Sequence, residues 1–293
     1  DQFVSASLAD RLAVWPQYLL PQRLLTRLAN RVSNSPSGWI RRPLIDGFRK
    51  LFPVNLAEAA EPDPHAYPSF NAFFTRALKP QARPLAEPAH RLVCPCDGTL
   101  SQLGRIRNGQ MIQAKGVDYT AAALLGSADW AGQFDNGHFV TVYLAPYDYH
   151  RVHSPIAGRP VEEIRIPGRL FSVSARTSRA VPGLFTRNER LAVLLDTAHG
   201  PVAVVMVAAL LVAGIETVWG SRGPYRPGPV VTRNTLETPP LERGEELGRF
   251  HWGSTVIVLT PEHFPPWHSS LRPGATVRLG QALTVAETER TSE

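Results

Sequence analysis

The chain has 293 residues, 43% hydrophobic and 19% charged, which supplies a core for one large or two small domains and excludes a disordered protein. A net charge of +6 favours an anionic partner, a membrane surface or a nucleic acid. The basic residues sit on apolar helices and carry no nucleic-acid-binding motif, so no nucleic acid is expected. The only cysteines, Cys94 and Cys96, are too few for a disulfide framework or a cysteine zinc site, and are expected to be reduced and structural, as in the cytosol.

No run reaches the ~18 apolar residues of a membrane-spanning helix. The numbering opens on Asp1 and not on Met, which is compatible with a removed leader. Residues 7–53 read as amphipathic helices. Pro21 suits a first helical position. After it Leu24, Leu28 and Val32 recur every four residues, flanked by Leu25, with Arg23, Arg27 and Arg31 beside them at the same spacing. A second segment sets Ile40, Leu44, Phe48 and Phe52 among Arg41, Arg42, Arg49 and Lys50. Apolar faces edged with arginine suit a helix lying in a bilayer interface. They also suit docking on the protein's own core. Residues 54–90, rich in proline and alanine, form a connector with one short helical piece over 69–76.

From Arg91 onward short β-rich runs alternate with glycine and proline turns: 91–94, 139–144, 191–195, 202–212 and 255–259. Residues 220–240, with Pro224, Pro227, Pro229, Pro239 and Pro240, read as a long irregular loop. The expected class is α+β, with a β-rich antiparallel sandwich or barrel-like catalytic core behind N-terminal amphipathic helices.

Three polar clusters stand out. Asp97-Gly98 follows the cysteines and suits either a catalytic acid or a turn. Tyr147-Asp148-Tyr149-His150-Arg151-Val152-His153 places two imidazoles three residues apart, which suits acid/base work, and no carboxylate–histidine motif completes a metal site. Gly253-Ser254-Thr255 enters an apolar strand; alone it reads first as a strand-entry turn, and it is also a candidate nucleophile. An acid, an imidazole and a serine can assemble as a triad whatever their order in the chain.

These clusters resemble those of the phosphatidylserine decarboxylase family over nearly the whole chain, most densely from Phe73 to Leu259. The matching segments are Phe73-Phe74-Thr75-Arg76, Asp97-Gly98, Gln113-Ala114-Lys115-Gly116, Asp148 to His153, Pro167-Gly168-Arg169-Leu170-Phe171-Ser172-Val173, Asn188-Glu189-Arg190, Gly214-Ile215-Glu216-Thr217-Val218-Trp219 and Gly253-Ser254-Thr255. Two positions depart: Trp252 precedes Gly253 where leucine is common, and Ser174 stands where asparagine is frequent.

The resemblance implies a precursor whose Ser254 hydroxyl attacks the Gly253 carbonyl. The amide becomes an ester, elimination cuts the chain, and position 254 is left as a covalent pyruvoyl group, with no metal. Asp97, His153 and Ser254 would form the self-cleavage triad, and His150 would assist decarboxylation or protonation. The pyruvoyl ketone would form a Schiff base with phosphatidylserine and release phosphatidylethanolamine. Residues 1–66 would be membrane-associating helices and connector, and 67–293 the catalytic domain, cut into a large chain (1–253) and a small chain (254–293) that stay together. The implied setting is peripheral, on the cytoplasmic side of the cell membrane against an anionic surface, as a homodimer. A lipid-working enzyme favours the bilayer reading of the arginine-edged helices. Two rivals remain: a serine hydrolase, which lacks the Gly-x-Ser-x-Gly elbow, and a non-catalytic lipid-binding module.

Overall fold

The computed structural model describes residues 7–88, 91–114, 117–210, 214–220, 231–251 and 253–285. Five helices come first: α1 (Leu8–Val14), α2 (Pro16–Leu19), α3 (Gln22–Ser33), α4 (Gly38–Leu51) and α5 (Phe70–Phe74). Pro21 caps α3 from outside, one position before its expected place. Ser69 accepts from the Ala72 amide and starts the short helix expected in the connector.

The remainder alternates strands with short helices: β1 (Gly98–Arg105), β2 (Gln110–Ala114), β3 (Val117–Thr120), α6 (Ala121–Leu125), α7 (Ala128–Gly132), β4 (His138–Leu144), β5 (Arg151–His153), β6 (Arg159–Ile166), α8 (Ala175–Ala180), α9 (Leu184–Arg187), β7 (Arg190–Thr197), β8 (Gly200–Val207), β9 (Ile215–Thr217), β10 (Thr232–Thr235), β11 (Glu246–Phe250), β12 (Ser254–Thr260) and β13 (Thr276–Val277). The class is α+β, as expected. Among the described residues the main sheet is open, in the order β10-β6-β7-β8-β12-β4-β1-β13, so it has two edges and does not close into a barrel. Its pairings are antiparallel. A second sheet of three strands runs β5-β11-β9.

Strand β12 is buried at all seven positions between β4 and β8, which is why its sequence is a continuous apolar run rather than an alternating one. The 91–94 run makes an isolated bridge, Val93 to Ala282, and not a strand. The expected loop over 220–240 contains β10, which pairs with β6; Pro224, Pro227 and Pro229 lie outside the described residues, as do Lys115, Gly116 and residues 211–213 of the expected 202–212 strand. Cys94 and Cys96 are buried free thiols.

The two helical stripes behave differently. On α4, Ile45 and Phe48 are buried against Tyr67, Phe70, Phe73 and Phe74, with Phe48 5.3 Å from the Phe70 ring and 5.9 Å from that of Phe74. On α3 the polar residues Gln22, Thr26 and Ser33 are the buried ones, while Leu24, Leu28 and Val32 are 55%, 53% and 45% exposed. That inversion has a tertiary cause. Gln22 accepts from the Leu170 amide at 2.9 Å and donates to the Gln17 carbonyl at 2.8 Å, so its hydrogen bonds turn the polar face inward. No helix among the described residues is long and apolar enough to cross a membrane.

Candidate active site

The site forms where β12 begins. Ser254 pairs with Leu144 at the end of β4, and the chain leaving Leu144 turns through Asp148 and Tyr149 to His150. Asp148 Oδ2 accepts from the Ala145 amide at 2.7 Å, a local bond that closes this turn. His150 O then accepts from the Phe250 amide at 3.0 Å, so the loop returns to the strand that leads into Gly253-Ser254. Among the described residues a side chain at Gly253 would meet only Leu144 O, at 3.9 Å; their packing does not demand glycine, and its absence of side chain leaves the carbonyl approachable.

Three polar atoms here are buried without a hydrogen-bond partner among the described residues: Ser254 Oγ, the neighbouring Thr255 Oγ1 and His150 Nε2. Such atoms cost on the order of 1–3 kcal/mol each, and most folded chains avoid them. His150 Nδ1 lies 2.9 Å from the Asp148 carbonyl. A carbonyl only accepts, so Nδ1 carries the proton and Nε2 of the neutral ring is a bare lone pair. The Phe74 ring, 4.2 Å from the imidazole, helps to bury it. Burial pushes the His150 pKa down to about 3.

His153 has the same tautomer. Nδ1 lies 2.8 Å from Gly244 O, and Nε2 lies 3.0 Å from Tyr149 Oη, from which it accepts. Burial lowers its pKa, with the Gly244 carbonyl opposing the shift. The His153 amide donates to Pro95 O at 2.8 Å, which brings the Cys94–Asp97 segment alongside β5. Asp97 itself points elsewhere. Its carboxylate accepts from Arg83 Nε at 3.0 Å and Nη2 at 2.6 Å and from the Leu279 amide at 2.9 Å. Arg83 also holds Glu58 at 2.7 Å. Asp97 therefore reaches His153 through charge, and the Gly244 carbonyl occupies the hydrogen-bonding position on Nδ1.

The segment before the Gly-Ser step is clamped. His251 Nε2 lies 3.0 Å from Glu216 Oε2, and its Nδ1 lies 3.0 Å from Asn71 Oδ1. Trp252 lies outside the described residues. Among the described residues no group of three His, Cys, Asp or Glu is placed to hold a metal. Sequence reasoning did not single out Tyr149, Arg83, Gly244, Asn71 or His251. Tyr149 sat inside a quoted motif, His251 beside the Gly-Ser step and Asn71 in the short helical piece, whereas nothing local marked Arg83 or Gly244.

A family model described as phosphatidylserine decarboxylase matches residues 70–285, and a second, described as PSD, matches residues 12–53. The chain belongs to the phosphatidylserine decarboxylase family. It is 49% identical over 277 residues to a phosphatidylserine decarboxylase proenzyme of Alcanivorax borkumensis, covering 93% of this chain and 95% of the relative. It is 52% identical over 269 residues to a proenzyme of the same name from Xanthomonas campestris pv. campestris, with 91% and 95% covered. A third, from Delftia acidovorans, is 48% identical over 280 residues, with 94% and 98% covered. The two family-model matches divide the chain near the connector, with the exposed leucines of α3 on one side and the Ser254 site on the other.

Proposed function

We propose that this chain is a phosphatidylserine decarboxylase proenzyme that cuts itself between Gly253 and Ser254 and then converts phosphatidylserine to phosphatidylethanolamine, a step of phospholipid synthesis. The observation that carries the reading is the buried, unpartnered Ser254 hydroxyl at the first residue of the central strand. An unassisted hydroxyl is a weak nucleophile, and a neutral imidazole with a bare Nε2 is the base it needs. His153 has that tautomer; on this reading it exchanges the Tyr149 hydroxyl for that of Ser254, and Asp97 favours the imidazolium by its charge. Oγ bonds to the Gly253 carbonyl carbon as the C–N bond breaks. Loss of the Cα proton then expels the Gly253 carboxylate. Strand β12 keeps its ladders to β4 and β8, which holds the small chain (254–293) on the large one (1–253) after the cut.

Position 254 fits a pyruvoyl group, because the Ser254 oxygen that departs with the Gly253 carboxylate has no hydrogen-bond partner among the described residues to lose; water then replaces the nitrogen on Cα, releasing ammonia and leaving the ketone. That group supplies a carbonyl that takes up the lipid amine and draws off the electron pair left when CO2 departs. His150, wholly buried and neutral, presents Nε2 for the proton traffic at the reacting carbon.

The enzyme works as a peripheral protein on the cytoplasmic side of an anionic membrane. The exposed Leu8, Leu12, Trp15, Leu19, Leu24 and Leu28, with Arg27 and Arg31 exposed among them, support that surface. The homodimer rests on the resemblance alone.

Intact-mass spectrometry tests the reading. Wild type should give two chains, with residue 254 lacking its amine, and Ser254→Ala one uncut chain without activity. Two fragments from Ser254→Ala would overturn it.

A further inference from the structure

A cavity of about 590 Å3 opens between the first turn of α3 and the turn after β6. Its size is that of a small-molecule site. Arg23, Arg169 and Arg187 line it, and no carboxylate does so among the described residues. Leu20, Leu24 and Leu170 supply its apolar wall. Arg23 Nη2 donates to Gly168 O at 3.4 Å, whereas the guanidinium groups of Arg169 and Arg187 make no hydrogen bond or ion pair with a described residue.

The fold brings these charges together deliberately. The Arg169 amide donates to Arg187 O at 2.8 Å, and the Glu189 amide donates to Arg169 O at 2.9 Å, so two arginines that should repel share one rim. A Cβ on Gly168 would lie 2.5 Å from Arg187 O, Asn188 C and Glu189 N, so that approach requires glycine. The opposite wall is fixed by Gln22 on the Leu170 amide and Gln17 on the Ser172 amide, both at 2.9 Å. The first turn of α3, whose dipole favours an anion although the Gln22 amide already donates to Leu20 O at 2.8 Å, faces the same space.

Two continuities narrow the ligand. Leu24 belongs both to the cavity and to the exposed leucine stripe of α3. Asn188, next to Arg187, donates to Ala208 O at 2.9 Å just beyond β8, whose Val207 pairs with Thr255. The cavity therefore lies between the apolar face and the Ser254 end of the sheet. Guanidinium forks match phosphate oxygens bidentately, and leucines match acyl chains.

We infer that this cavity binds the phosphodiester of an anionic glycerophospholipid, with the acyl chains running along Leu20, Leu24 and Leu28. The inference rests on the reading that the chain works on a glycerophospholipid at a membrane, and it adds a headgroup site separate from residue 254.

The test titrates the full chain with dihexanoylphosphatidylglycerol below its micelle concentration, a lipid with the phosphate but no amine for residue 254. R169Q/R187Q should weaken binding about tenfold or more, since it removes two charge-assisted contacts. R107Q/R272Q, which has the same net charge and alters no lining residue, should leave it unchanged. R169K/R187K, keeping charge without the fork, should fall between wild type and the Gln pair. Equal weakening by R107Q/R272Q, or no weakening by R169Q/R187Q, would overturn the site. Inorganic phosphate arbitrates its source: displacement of the lipid at equal concentration would make this a free-phosphate site and remove the lipid assignment. A mass spectrum of the same samples scores self-cleavage separately, so failure of the decarboxylase reading and failure of the cavity are distinguishable.

Discussion

Tyr149 Oη lies 3.0 Å from His153 Nε2, so the imidazole nitrogen suited to take the Ser254 proton already accepts a hydrogen bond. If His153 is the base proposed above, the precursor is held with that base engaged, and cleavage requires the bond to be exchanged. Tyr149→Phe should still cut itself, because it frees Nε2 without removing it. His153→Ala should accumulate the uncut chain, with cleavage slowed on the order of 10²–10⁴-fold, the usual worth of a general base. Gel time courses after synthesis read both. If Tyr149→Phe stalls as completely as His153→Ala, the phenol belongs to the proton path.

Asp97 and Arg83 form a shielded ion pair, with side chains 11% and 8% exposed. Removing one member of such a pair costs about 3–5 kcal/mol, because the other charge is stranded. Arg83 keeps Glu58 as a second partner, so Asp97→Asn should fold with a lowered melting temperature. It should also accumulate uncut chain, since the charge acting on His153 is gone. Arg83→Gln leaves the Asp97 charge in place and should cut. Equal stalling in both variants would make Asp97 a structural residue.

Long apolar runs were legible from the sequence as strands, because β4, β7, β8 and β12 are buried on both faces. Strand β6 was not. Its Glu163 is buried and accepts from Trp219 Nε1 and Asn234 Nδ2, so a charged residue stands where a periodicity rule expects an apolar one. Periodicity found both faces of α3 but could not say which is inward, since the bonds of Gln22 to distant backbone decide it. Motifs pointed to His150, His153, Asp97 and Ser254. Their partners could not be read, because Gly244 stands 91 residues from His153 and is chosen by tertiary structure.

His150→Ala should separate the two reactions: cleavage survives, because His153 remains, and turnover of phosphatidylserine falls by about 10²-fold or more. With its pKa pushed down to about 3, His150 stays neutral from pH 5 to 8, so the pH profile of turnover should carry no inflection from it there. Loss of cleavage in His150→Ala would mean that the histidines' roles are exchanged.

Burial raises the Asp148 pKa from 3.8 to about 6. The folded state thus holds this proton more tightly than the unfolded chain, and stability is lost as pH rises from about 4 through about 6. Asp148→Asn keeps an oxygen for the Ala145 amide and removes the titration. Its stability relative to wild type should climb between pH 4 and 6 and level off above. Asp148 is half-buried, so solvent screening holds the gain to the order of 1–2 kcal/mol. Chemical denaturation of both proteins at several pH values measures it; a difference independent of pH would show that Asp148 titrates normally.

The exposed stripe separates charge from apolar area at the membrane. Arg27 and Arg31 line no part of the arginine cavity, and their replacement by Gln tests the surface alone. At about 1 kcal/mol for each basic residue near an anionic leaflet, the pair should cost roughly thirtyfold in vesicle binding at low salt. That loss should shrink as salt screens it. Leu19 and Leu28 are 70% and 53% exposed, so Leu19→Ser/Leu28→Ser should leave the melting temperature unchanged. It should weaken vesicle binding at every salt concentration, because burial of apolar area is not screened. Both variants should still turn over a water-soluble phosphatidylserine analogue, since the Ser254 site lies in the sheet. A flotation assay across salt concentrations, read beside thermal melts, decides the matter. Unchanged flotation with a lowered melting temperature would place these leucines against the protein's own core and remove the membrane role from the helices.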